Sequence, residues 1–103
     1  MKTLTLSLKK QWFDMIKSGE KKEEYRELNY YWGARLLDLS PDGKTFLKVF
    51  KHFDHLVFTL GYPKADDTER RLVFKNPRIS IGTGRPEWGA EPGKQYFVIT
   101  WEA

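Results

Sequence analysis

The sequence predicts a small α+β domain. Five or six strands form a small mixed β-barrel, closed or nearly closed, with two short helices near the N-terminus. Three observations predict it. Residues 3–8 alternate leucine with threonine and serine. The apolar spacing then switches to a helical period over residues 10–18. The rest of the chain is a series of short β-rich runs divided by Gly/Pro turns. With 103 residues, a single domain covering 1–103 is the natural size.

Each element follows in order. Leu4, Leu6 and Leu8 share one face of a strand over 3–8, with Thr3, Thr5 and Ser7 on the other. Trp12, Phe13 and Ile16 then fall at helical spacing with Met15 beside them. Gly19 is the left-handed stop, and Lys17 suits the last turn. Residues 22–27 read as an exposed strand because of Tyr25 and the density of charge, with Lys22, Glu24 and Arg26 on one face. Asn29 can cap a short helix carrying Tyr30, Trp32, Leu36 and Leu37. Residues 40–44, SPDGK, are a turn. Residues 53–60 form a strand closed by Gly61-Tyr62-Pro63, and 64–68 a polar loop. Residues 71–74 and 78–81 are strand-like, broken by Asn76-Pro77. A long Gly/Pro loop over 82–94 precedes a closing strand over 95–101.

Composition narrows the function. Lys plus Arg number 18 against 14 Asp plus Glu, a net charge of +4 with a pI near 9.3. A moderately basic chain suits a polyanionic partner. Aromatics make up 16% of residues, more than a core of this size requires, so some are available for stacking. No cysteine is present, which excludes disulfides and thiolate chemistry and fits a reducing compartment. No apolar run is long enough for a signal peptide or a membrane span, so a cytoplasmic location is expected.

Several enzyme classes are disfavoured. GTGRPE, residues 82–87, lacks the third glycine of a dinucleotide fingerprint, and no P-loop occurs. His52 and His55 are the only histidines, and on one strand they point to opposite faces, so no metal site is expected. No serine sits in a nucleophile elbow. No cofactor is expected.

Three stretches carry candidate chemistry. The first is SGEKKEEYRE, residues 18–27, in which Lys21 follows the helix stop and Glu24 and Arg26 share a strand face. A carboxylate and a guanidinium so placed pair, or read a polar ligand in fixed orientation. The alternative is a solvated charged edge. The second is GRPEWGAEPG, residues 84–93, in which Arg85, Glu87 and Trp88 suit a base plane and its phosphate; the alternative is that Trp88 anchors the loop. The third is Lys9 and Lys10, at the helix N-terminus, where an anion is favoured. Trp12, beside them, reads as core.

The order of these pieces carries a resemblance. L-S-L-K at 6–9, an amphipathic helix, S-G-E-K at 18–21 and E-x-R at 24–26 resemble the ASCH domain, a member of the PUA-like β-barrel superfamily. I-x-I-G-x-G at 79–84, E-W-G-A at 87–90 and Y-F-V-I at 96–99 look like the small stand-alone ASCH proteins of bacteria and their phages, as do Y-R-E at 25–27 and Tyr31-Trp32. The resemblance covers nearly the whole chain. It implies a cleft beside the first helix lined by Lys21, Glu24 and Arg26, and the binding of RNA or a nucleotide there.

Under this resemblance Lys21 and Arg26 take a phosphate or a base edge, and Glu24 accepts hydrogen bonds. Lys9, Tyr62, Arg78, Arg85, Glu87 and Trp88 are further ligand contacts, with Tyr62 and Trp88 stacking. Some relatives are hydrolases. One subgroup deacetylates N4-acetylcytidine with a lysine, a threonine nucleophile three residues later and a distant glutamate. Lys21 matches the lysine, but Glu24 stands where the threonine would be and cannot be acylated and turned over in the same way. Glu87 is a positional candidate for the distant acid. A hydrolase or ribonuclease using Lys21 and Glu24 is therefore the alternative to a binding module. A third reading is a protein-interaction module with no nucleic acid partner.

Overall fold

The computed structural model describes residues 2–102. Its elements run β1 (Thr3–Leu8), α1 (Lys10–Lys17), β2 (Glu24–Glu27), α2 (Tyr30–Leu36), β3 (Leu37–Leu39), β4 (Phe46–Phe50), β5 (His55–Leu60), β6 (Arg71–Thr83), a 3-10 turn at Pro86–Trp88 and β7 (Gln95–Glu102). The class is α+β, with seven strands and two α-helices among the described residues. The chain divides into two units. One takes the chain up to Glu23, then Phe53–Arg78 and the end from Thr100; the other takes Glu24–His52 and Ile79–Ile99.

In the first unit the strand order is β1-β5-β6. β1 lies parallel to β5, with Leu6 opposite Phe58, and β6 lies antiparallel to β5, with Leu72 opposite Phe58. Leu4, Leu6 and Leu8 are buried as their alternation requires. Phe13 and Ile16 are the buried face of α1. Phe58 packs edge-on to Trp101, with ring centroids 5.0 Å apart, and Phe74 lies 5.4 Å from the same indole.

Gly19 closes α1 at φ +86°, a conformation that disfavours any side chain. The Gly19 N–H donates to the Ile16 carbonyl and the Lys21 N–H to the Met15 carbonyl, so the chain folds back over the helix end. That reversal carries Lys21 inward.

In the second unit the order is β6-β7-β2. β2 runs antiparallel to β7, with Glu24 opposite Ile99 and Arg26 opposite Phe97. Asn29 caps α2, its Oδ1 accepting from the Trp32 N–H at 2.9 Å. The Lys51 ammonium donates to the Ala34 carbonyl at the other end of the helix. β3 and β4 form a separate antiparallel ribbon. Leu36, Phe97 and Ile99 are buried core residues of this unit.

Several sequence expectations change. The charged strand begins at Glu24 rather than Lys22, and its first residue is buried rather than exposed. Leu37 leaves the helix for extended backbone and opens β3. β4 was not expected. The break at Asn76-Pro77 is a local distortion inside one strand: Asn76 takes φ +50°, and its N–H is satisfied by the Asp54 carbonyl. His52 precedes β5 and is not on the strand with His55. The sheet order leaves β1 and β2 each with one strand neighbour, so no closed ring is recorded among the described residues. No helix among them is long and apolar enough to cross a membrane.

Candidate functional site

Lys21 belongs to the first unit, and Glu24 and Arg26 to the second. In the first unit Lys21 is 1% exposed. Its ammonium donates to the Glu23 carbonyl and sits 5.7 Å from the centroid of the Trp12 ring. Trp12 is half-buried rather than core. The helix-end reversal has taken the charge out of water.

In the second unit Glu24 is 7% exposed. Its Oε2 accepts from the Arg26 guanidinium at 2.7 Å, with side chains 10% and 15% exposed respectively. The guanidinium also lies 4.8 Å from the centroid of the Trp32 ring on α2. The strand alternation that puts Glu24 and Arg26 on one face produces the pair directly. Lys21 and Glu24 are the only charged residues in the buried class among the described residues.

The 84–93 loop of the same unit is built differently. Arg85 lies 4.9 Å from the centroid of the Trp88 ring and 3.7 Å from Glu87. Arg85 and Glu87 are exposed and Trp88 is half-buried. Tyr25, between Glu24 and Arg26, ties this loop to β2: its hydroxyl accepts from the Arg85 N–H at 3.0 Å. Gly84 makes the approach possible, because a Cβ there would come 2.6 Å from the Tyr25 ring and 2.7 Å from the Ala90 Cβ. At the far end of β2, Glu27 pairs with Lys94 at 2.9 Å and holds its ammonium above the usual lysine range.

Lys9, Tyr62 and Arg78 belong to the first unit, Lys9 and Tyr62 just beyond the paired ends of β1 and β5. Lys9 precedes α1 and is exposed, with no side-chain cap bond. Tyr62 is 95% exposed after β5, and Arg78 is exposed within β6. Sequence reasoning missed Trp32 as the partner of Arg26 and Tyr25 as the anchor of the 84–93 loop. The Trp32 contact joins a helix to a strand, and the Tyr25 contact spans 60 positions, so neither leaves a local signal.

No family model, curated protein or solved structure matches the chain.

Proposed function

We propose that this chain is a small binding module for single-stranded RNA or a nucleotide, read by the segment 21–26. The observation that carries this is the burial of Lys21 and Glu24, three positions apart in one segment. Removing a charge from water costs several kcal/mol even when it is paired, and an apolar substitute is often no less stable. Charges held in this way are a mark of functional sites. Arg26, stacked on Trp32 and oriented by Glu24, is preorganised to meet a phosphate or a base edge. Arg85 with Trp88 is a stacking contact for a following base. The same reading carries the finer architecture, the PUA-like barrel of the ASCH proteins, which the sequence motifs support, and a cytoplasmic setting, which the cysteine-free composition suits.

The test is retention of a pool of single-stranded RNA oligonucleotides by the protein and by Lys21→Met. Methionine fills a similar volume without the charge, so the fold, checked by circular dichroism, should survive. Retention should fall at least tenfold. Full retention by a folded Lys21→Met variant would overturn the proposal. The same pool is inspected for cleavage: turnover that disappears in Glu24→Gln would make the segment a hydrolytic site instead.

A further inference from the structure

Within the second unit, two adjoining cavities of about 430 and 500 Å³ share Leu37, Phe46 and Ile81 in their walls. The first is completed by Leu47, Lys48, Phe50 and Ser80. We infer that this cavity is a binding site for a small aromatic carboxylate, separate from the 21–26 segment.

Three features support that class of ligand. The volume lies in the range of sites that enclose small organic molecules. The walls are apolar, with Phe46 and Phe50 aromatic and Leu37 and Ile81 aliphatic. Among the described residues, neither cavity is lined by an acidic one, and Lys48 is the one charged residue at either. An apolar body carrying a single negative group complements that lining, whereas a cation or a neutral polar molecule does not.

The surrounding structure gives the site an opening. Among the described residues β3 and β4 pair only with each other, and a two-stranded ribbon is weakly held by itself. Ile81 and Leu47, both lining the first cavity, are also exposed. Apolar surface left open beside a cavity marks a place where something binds. Gly33 on α2 lines the second cavity and lets the Phe46 ring lie close, since a Cβ there would press on that ring at 3.1 Å.

The probe is naphthoic acid, titrated into the protein by calorimetry beside its neutral amide. Naphthoate should bind with a dissociation constant below about 1 mM. Ile81→Glu should abolish binding. Lys48→Gln should weaken naphthoate roughly three- to fivefold and leave the amide unchanged. Val49→Glu is the control: Val49 is exposed on β4 but lines neither cavity, so binding should persist. Four results would overturn the inference: no binding at that concentration, equal binding of acid and amide, equal loss in Val49→Glu, or concentration-dependent self-association abolished by Ile81→Glu. The last would make a second copy the occupant. RNA retention plays no part in this test, so its outcome is independent of the proposed function.

Discussion

The second unit contains the same trio twice. Arg26 pairs with Glu24 and stacks on Trp32; Arg85 pairs with Glu87 and stacks on Trp88. The stacking distances, 4.8 and 4.9 Å, are nearly equal. What differs is water. The first pair closes at 2.7 Å with side chains 15% and 10% exposed, and the second at 3.7 Å with side chains 64% and 59% exposed. Residue types set the contacts, and burial sets their energetic weight. Out of water, breaking one partner leaves a stranded charge; in water, solvent and salt replace it. The shielded ion pair is a fixed geometry, and the exposed one an adjustable contact.

The largest expected effect comes from breaking the two pairs separately. Glu24→Ala should destabilise the fold by about 3–5 kcal/mol in urea denaturation. Glu87→Ala should stay within about 0.5 kcal/mol. Similar losses at both positions would erase the distinction. Next comes Gly84→Ala, which drives a methyl into Tyr25 and Ala90. A loss of about 1–3 kcal/mol is expected, and part of it should be relieved by combining it with Tyr25→Ala, the Ala90 contact remaining. A double-mutant cycle on Arg85 and Glu87 should give a smaller coupling still, one that vanishes near 1 M salt. The coupling of Arg26 with Glu24 should survive that salt.

The smallest effect concerns the turn before β4. The Ser40 hydroxyl donates to Asp42, as does the Lys44 N–H, and these bonds hold the Asp42 carboxyl below the usual range. A carboxyl with a lowered folded-state value contributes stability above its unfolded value, and that contribution is lost as pH falls through the folded one. Amide exchange at Lys44 should therefore accelerate, relative to its intrinsic rate, as pH drops below about 4. Asp42→Asn should remove that dependence.

Where the sequence was legible, a single pattern dominated. Leu4, Leu6 and Leu8 alternate, and Phe13 and Ile16 repeat at a helical period, so β1 and α1 follow from residue spacing. The pairing of Glu24 with Arg26 was legible because alternation alone puts them on one face. Their burial was not, because charge ordinarily reads as exposure. Only the reversal after Gly19 and the pairing of β2 with β7 take Lys21 and Glu24 inward. β4 was hidden for the opposite reason: Leu47 and Val49 are apolar yet exposed, so FLKVF lacks the alternation of a half-buried strand. Asn76-Pro77 reads as a break because proline removes a donor. Asn76 instead absorbs the distortion in left-handed backbone, and the strand continues.

The most direct test replaces each pair while keeping hydrogen-bonding shape. A labelled single-stranded RNA is titrated across salt concentrations into three proteins: the native chain, Glu24→Gln/Arg26→Gln, and Glu87→Gln/Arg85→Gln. The account predicts that the first double variant, still folded, loses binding. The second should weaken it mildly and lower the salt slope by about one. Unchanged affinity in a folded Glu24→Gln/Arg26→Gln protein would contradict the claim that the segment 21–26 reads the ligand.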